Sequence, residues 1–150
     1  AQYDPLQEEK IAAFRRETAA LGLPRPEDAV LDTEGMAFHD GYLAMKTILA
    51  RQPLPTAVIT GSLDLARGIV RAALEAGLAI PRDLSVVSYD NIPLAEEVDV
   101  PLTTAGVPAE KLAESIAARL VALIERPEDK SGVTLEPELA VRTSTAPPTL

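Results

Sequence analysis

Short runs of apolar, β-branched residues alternate with helical patterns along this chain, and that alternation limits the possible folds most. Residues 56–60 and 84–89 are apolar or β-branched at nearly every position, which is typical of strands buried on both faces. Helical patterns occupy the segments before, between and after these two runs. Because strands that alternate with helices pair in parallel through right-handed crossovers, the sequence predicts an α/β fold with a parallel sheet.

The helical segments carry recognisable boundary signals. Apolar residues at spacings of three and four predict helices over about 6–21, 38–51, 64–76 and 108–125. Gly22, Pro24 and Pro26 are expected to stop the first helix. Asp64 is the predicted N-cap of the third helix, and Gly77 its closing C′ residue. Short extended segments are expected at 29–31, 102–104, 133–135 and 139–141.

Composition excludes several classes of function. The 150 residues are 47% hydrophobic and 25% charged, which suits one globular domain. The chain has no cysteine, so thiolate catalysis and thiolate metal sites are excluded. A net charge of -9 disfavours direct binding to a phosphate backbone. No run of 18 apolar residues predicts a membrane span, and His39 is the single histidine.

Polar residues follow the two clearest strands, where ligands bind in parallel sheets. Ser62 follows the run 56–60, and Asp90 with Asn91 follows 84–89. A carboxylate at Asp90 can accept two hydrogen bonds from adjacent hydroxyls or from an amine, although it can also simply cap a turn. Ser62 lacks the G-x-S-x-G pattern of a nucleophile elbow. The residues alone therefore predict a binding domain, with no catalytic residue, metal or cofactor.

A set of motifs, in one order along the chain, resembles the LacI/GalR-type transcriptional regulators. Residues 78–93 resemble the family's G-L-x-[IV]-P-x-D-[LIV]-S-V-V-G-[FY]-D-[DN]-I-P signature. Shorter matches lie at 10–14 (R-x-x-G-F), 41–45 (G-Y-x-A-M), 55–58 (P-T-A-V), 101–104 (P-L-T-T) and 137–145 (P-x-L-[VI]-x-R-x-S-T). Together they cover about residues 7–147.

The resemblance implies a periplasmic-binding-protein-like effector domain of two lobes, built as a three-layer sandwich around a parallel sheet. Residues 1–102 are expected to form most of the C-terminal lobe without its first strand. Residues 103–138 would be an excursion into the N-terminal lobe, and 139–150 the return strand and tail. The DNA-reading helix-turn-helix of the family would precede this segment.

The resemblance also implies which residues bind the effector. Asp90 falls on the family's effector-binding aspartate, and Ser62 falls where most members carry asparagine. Lys10 falls on an effector-binding arginine, and Met36 lies near an aromatic residue that stacks on the ligand. Lysine lacks the two-pronged donor of arginine, and methionine offers no aromatic face. Lys10 and Met36 therefore argue against a typical sugar as the effector.

These observations predict the effector-binding and dimerisation portion of a cytoplasmic, LacI/GalR-type regulator that is not an enzyme. It would bind a small polar metabolite and reach operator DNA only through its N-terminal domain, without contact to a membrane. The apolar face of the 108–125 helix and the helix 64–76 are the surfaces expected to form a homodimer. A solute-binding protein of a transporter is the alternative, and a serine hydrolase is a distant third.

Overall fold

A computed structural model describes residues 5–23 and 29–148 of the chain. They fall into two compact units, Ala1–Gly35 and Met36–Leu150. The first unit contains helix α1, Pro5–Ala20, on which Ile11, Phe14 and Thr18 are half-buried as the spacing predicts. Pro24 and Pro26 lie outside the described residues. The expected extended segment at 29–31 forms no strand.

The described residues of the second unit contain three α-helices, whose bounds agree with the sequence pattern to within two residues, and a short 3-10 helix at Pro93–Ala95. The α-helices are α2, Phe38–Leu49, α3, Leu63–Glu75, and α4, Ala109–Glu125. Gly77 has φ +83° and closes α3, and the Leu78 amide donates to the Ala73 carbonyl at 3.1 Å. The N-cap of α3 is Ser62, not Asp64, because the Ser62 hydroxyl reaches the Leu65 amide.

A mostly parallel sheet of four strands forms the centre of the second unit, which confirms the predicted α/β class. The strands are β1, Ala57–Thr60, β2, Ser85–Tyr89, β3, Thr103–Gly106, and β4, Glu138–Ala140. They lie in the order β1-β2-β3-β4, and only the β3–β4 pair is antiparallel. Residues 133–135 lie outside the strands, so that expected strand is wrong.

The core lies where the inner face of α3 packs on β1 and β2. Its most buried apolar members are Met45, Ala66, Ala72, Ala73, Leu84, Val86 and Leu102. β2 is largely buried, as expected, whereas Ile59 on β1 is 55% exposed. The expectation of two buried faces is therefore wrong for β1, because among the described residues α3 packs closely on one face of this strand and leaves Ala57 and Ile59 on the other face exposed.

Helix α4 contributes no fully buried residue. Its apolar side chains at Leu112, Ile116, Leu120, Leu123 and Ile124 are between 37% and 71% exposed. The apolar face of α4, which the sequence predicts to form a contact surface, is thus exposed to solvent in this structure. Within the described ranges, no helix is long and apolar enough to cross a bilayer.

Candidate functional site

The carboxyl ends of β1 and β2 bring two of the predicted site residues to one edge of the sheet. Thr60 pairs with Ser88 in the parallel register of these strands. Ser62 and Asp90 each follow that pair by two residues, so both lie beyond the same edge. This is the place where parallel sheets bind their ligands.

Asp90 has an unusual backbone conformation. Its φ is +75°, the one positive value among the described residues that are not glycine. Aspartate enters this left-handed region more easily than most side chains, and such residues concentrate at functional sites. The residue is exposed, and within residues 5–23 and 29–148 its carboxylate has no hydrogen-bonding or ion-pair partner. The carboxylate is therefore free to accept hydrogen bonds from a ligand.

The Ser62 hydroxyl is engaged in local structure. Its oxygen accepts from the Leu65 amide at 3.2 Å and donates to the Met36 carbonyl at 3.1 Å. The side chain is therefore an N-cap of α3 that also fixes the loop before α2. Because its proton lies on a backbone carbonyl, the hydroxyl is not activated as a nucleophile needs to be.

The other two predicted site residues lie on different elements. Met36 is joined to Ser62 through its carbonyl, and its side chain is 44% exposed. The structure thus places three of the four predicted site residues, Asp90, Ser62 and Met36, on loops of the second unit. Lys10 lies in α1, within the first unit, and is half-buried. Effector binding by these four residues stays a prediction.

A partly buried polar network around Asn91, the residue after Asp90, was not singled out from the sequence. Arg142 donates to the side chains of Asn91, Thr104 and Glu96 and to the Leu102 carbonyl, at distances of 2.8–3.3 Å. Arg142 is the arginine of the quoted R-x-S-T motif, and Asn91 follows Asp90 directly. The motif marked Arg142 as a characteristic residue, but its bonding partners could not be identified from the sequence because they lie 38 and 51 positions away.

An open groove of about 370 Å³ lies on another side of the second unit. It is lined by Arg67 and Arg71 of α3, here called the basic wall, and by Glu97 and Asp99, here called the acidic wall. The remaining lining residues, here called the floor, are Phe38, Val70, Leu94, Val98 and Leu102. The groove therefore has two basic, two acidic and five apolar lining residues.

A carboxylate network borders the basic wall of this groove. Glu75 accepts hydrogen bonds at 2.7 Å from both the Tyr42 hydroxyl and the Arg71 guanidinium. These two donors hold the pKa of Glu75 below its ordinary value, with the Tyr42 hydroxyl contributing most. Lys46 lies over the Tyr42 ring at 5.3 Å from its centroid.

The described part of the chain offers no metal centre. None of its His, Asp and Glu side chains group in threes or more in a way that could hold an ion. Asp40, in the first turn of α2, accepts from the Ala37 amide at 2.9 Å and so caps this helix.

Comparison with known proteins gives a match over nearly the whole chain. The family described as "Periplasmic binding protein-like domain" matches residues 2–145. The HTH-type transcriptional repressor PurR of Yersinia enterocolitica is 39% identical over 109 residues, which cover 72% of this chain and 32% of that protein. The chain thus spans about a third of the length of the curated relatives that it matches.

Solved structures of similar fold agree with the family match. A LacI family transcriptional regulator from Enterococcus faecium with bound ribose is 31% identical, with a TM-score of 0.78, and the match covers 91% of this chain and 50% of that one. A regulator of the same family from Lactobacillus casei with bound Tris is 27% identical, with a TM-score of 0.75 and coverage of 93% and 52%.

Proposed function

The chain belongs to the periplasmic binding protein-like domain family, and from this we propose that it is the effector-binding portion of a LacI/GalR-type transcriptional regulator. Its ligand is a small polar metabolite with hydroxyl or amine donors. The whole protein acts in the cytoplasm, binds operator DNA through a separate domain and catalyses no reaction.

The free carboxylate of Asp90 is the observation that carries this proposal. It stands at the carboxyl end of a central strand, is exposed and holds a backbone conformation that concentrates at functional sites. An ionised carboxylate accepts hydrogen bonds that are stronger than those between neutral groups. Ligand donors therefore gain more from Asp90 than from the Ser62 hydroxyl, whose bonding capacity α3 already uses.

The proposed mechanism uses the partition of the chain into two lobes. Residues 1–102 and 139–150 belong to the C-terminal lobe, and residues 103–138 belong to the N-terminal lobe. A ligand held by Asp90 between the lobes favours one lobe arrangement over the other. Only such a difference in affinity between the two arrangements can shift the DNA-binding state of the whole protein.

The alternative, a solute-binding protein of a transporter, uses the same fold. The relatives favour regulation, because the curated relative is by name a transcriptional repressor and the Enterococcus and Lactobacillus structures are regulators.

We also propose that the chain forms a homodimer through the groove described above. A two-fold axis places the same surface of both copies together, so the surface must complement itself. The groove meets this condition, since Arg67 and Arg71 of one copy can face Glu97 and Asp99 of the other. Phe38 and Leu94, which are 41% and 40% exposed, supply apolar area that is removed from water on association.

Titration of the 15N-labelled chain tests the role of Asp90. Ribose carries vicinal hydroxyls and Tris carries hydroxyls with an amine, and each is bound by one of the similar structures. We expect at least one of them to shift the amide signals of Asp90 and Ser62. In Asp90→Asn the loss of a charged hydrogen bond should weaken binding by about 1.5–3 kcal/mol, or about 10–150-fold.

Glu128→Gln is the matched control, because it removes an exposed carboxylate from the turn after α4 and alters neither the candidate site nor the groove. It should bind as the wild type does. Binding that Asp90→Asn leaves unchanged, or amide shifts confined to other parts of the chain, would remove Asp90 from the site.

A further inference from the structure

We propose that Arg142 is the positioning residue of the candidate site: it holds Asn91, and through Asn91 the left-handed Asp90, against the crossover strands. The crossover strands are β3 and β4, which lead out to and back from the segment between them. The inference rests on the proposed function only for the role that it gives to Asp90.

The Arg142 guanidinium uses all three of its nitrogens. Nη1 donates to the Leu102 carbonyl at 2.8 Å and to Thr104 Oγ1 at 3.0 Å. Nη2 donates to Asn91 Oδ1 at 3.3 Å and to Glu96 Oε1 at 3.0 Å, and Nε also reaches Glu96. The side chain is only 13% exposed. A planar fork in this position binds several acceptors at fixed angles, which lysine cannot do.

The base of Arg142 is anchored as well. Its backbone amide donates to Thr103 Oγ1 at 2.9 Å. The backbone amide and the guanidinium of Arg142 are therefore both bonded to β3 or to residues beside it. The guanidinium thus has a fixed position from which to hold the loop after β2.

The Asn91 side chain is held in place by hydrogen bonds to its amide oxygen. Its Oδ1 accepts from Arg142 and also from Thr104 Oγ1 at 3.3 Å, and Thr104 is fully buried. Asn91, Thr104 and Arg142 thus form a closed triangle of hydrogen bonds. Such a network fixes its members more firmly than single bonds do.

The backbone of the same loop is pressed against β3. A Cβ added at Gly106 would lie 2.8 Å from the Asn91 nitrogen and 3.3 Å from the Asp90 Cα. The loop therefore contacts β3 through its backbone and Arg142 through its side chain. A left-handed residue that is not glycine persists when its surroundings hold it in place, and these contacts meet that need at Asp90.

This arrangement links ligand binding to the movement of the lobes. β3 and β4 lie at the two ends of the segment that the proposed partition assigns to the N-terminal lobe, so a change in lobe arrangement must pass through these strands. Arg142 bonds the ends of these strands to the residue next to Asp90. A shift of the crossover strands therefore changes the presentation of the ligand carboxylate.

NMR of the labelled chain, without any ligand, tests the proposal. A left-handed residue gives a strong NOE between its own amide and Hα protons, and this signal reports the Asp90 backbone directly. We expect Arg142→Gln to lose this NOE and to show exchange broadening at Asp90 and Asn91. Arg142→Lys should behave in the same way, because it restores the charge and not the fork.

Arg119→Gln is the matched control. Arg119 is also poorly exposed, at 20%, and donates to the Asp129 carboxylate at 2.7 Å and to its carbonyl at 2.6 Å. Its loss should lower the unfolding free energy and leave the Asp90 NOE intact. This comparison separates positioning from general loosening of the fold.

Asn91→Ala tests the same link from its other end and keeps the test valid if Arg142 variants do not fold. It should lose the Asp90 NOE, and Arg142→Gln should add no further change at Asp90 on that background. A retained NOE in Asn91→Ala or Arg142→Gln, its rescue by Arg142→Lys, or its equal loss in Arg119→Gln would overturn the proposal. Because no ligand is used, these outcomes are independent of whether ribose or Tris binds.

Discussion

Ser144 bridges the beginnings of β2 and β3, at the point where the pairing of these parallel strands starts with Val87 and Thr103. Its amide donates to the Pro101 carbonyl and its carbonyl accepts from the Val86 amide. Its hydroxyl donates to the Val86 carbonyl at 2.6 Å and accepts from the Thr103 amide at 2.8 Å. This fully buried residue thus makes backbone and side-chain hydrogen bonds to both β2 and the start of β3.

Ser144→Ala should be strongly destabilising. It leaves the Thr103 amide and one acceptor site of the Val86 carbonyl unsatisfied in the core, which should lower the unfolding free energy by about 2–4 kcal/mol. Urea denaturation followed by circular dichroism measures the change. Thr143→Ala, at the exposed neighbour, is the control and should change stability by less than about 0.5 kcal/mol. Equal effects of the two variants would show that the Ser144 hydroxyl is not needed.

Asp83 fastens the loop that enters β2. Its carboxylate accepts from the Ala79 amide at 2.8 Å and from Nε and Nη2 of the Arg82 guanidinium, each at 2.9 Å. These donors, Arg82 first, lower the pKa of Asp83 from 3.8 to about 2. The charged form is thus favoured in the folded chain.

The depressed pKa of Asp83 predicts a loss of stability in acid. Because the folded pKa lies below the unfolded one, the stabilisation is complete above about pH 4 and is lost as pH falls through about 2. The stability difference between wild type and Asp83→Asn should therefore shrink over this range. NMR titration of the carboxyl carbon measures the pKa itself. Titration near 3.8 would contradict the proposed bonding.

Helices α2 and α3 cross at two glycines, and this crossing is the main contact between helices in the second unit. A Cβ at Gly41 would overlap the Leu65 carbonyl oxygen, and one at Gly68 would overlap the Phe38 carbonyl oxygen. Backbone atoms cannot move aside as flexible side chains do. The glycine of the G-Y-x-A-M motif is therefore required by packing.

Gly68→Ala should force α2 and α3 apart. A Cβ there would also lie 2.6 Å from the Tyr42 nitrogen, so overpacking should lower the unfolding free energy by at least about 1–3 kcal/mol. Thermal denaturation measures the loss. Gly132→Ala is the matched control, since no atom lies within 4 Å of its added Cβ. Similar melting temperatures for the two variants would mean that the crossing tolerates a methyl group.

At the scale of the whole molecule, the groove and the open face of α4 are two candidate surfaces for association. Both expose large apolar side chains, such as Leu94 at 40% and Ile116 at 59%. The groove adds opposite charges on its two walls, whereas α4 shows no such self-complementary pairing among its described contacts. The groove is therefore the surface that we assign to the dimer.

Light scattering should give a mass of about twice 15.9 kDa at micromolar concentration. Reversing the basic wall, with Arg67→Glu and Arg71→Glu, should give monomers because both walls then repel. Mixing this variant with Glu97→Arg and Asp99→Arg should restore a heterodimer, since the walls again complement each other. Ile116→Glu tests α4. Monomers from Ile116→Glu alone, with dimers kept in the Arg67 and Arg71 variant, would place the interface on α4.

The sequence by itself determined the elements and their order. Periodicity located four helices, and the β-branched runs located β1 and β2 because these signals depend on neighbouring residues. The closing role of Gly77 and the position of Asp90 after β2 also followed from local pattern. The motifs added the family, which the comparisons confirm over residues 2–145.

Only the tertiary structure decided how these pieces are used. The antiparallel pairing of β4, the bridge that Ser144 makes between β2 and β3, and the hydrogen bond of Arg142 to Asn91 join residues 32 to 58 positions apart. The Ser62 hydroxyl was open to ligand in the sequence and is an N-cap in the structure. Such contacts are set by where the chain returns after leaving the sheet, and local periodicity carries no information about that return.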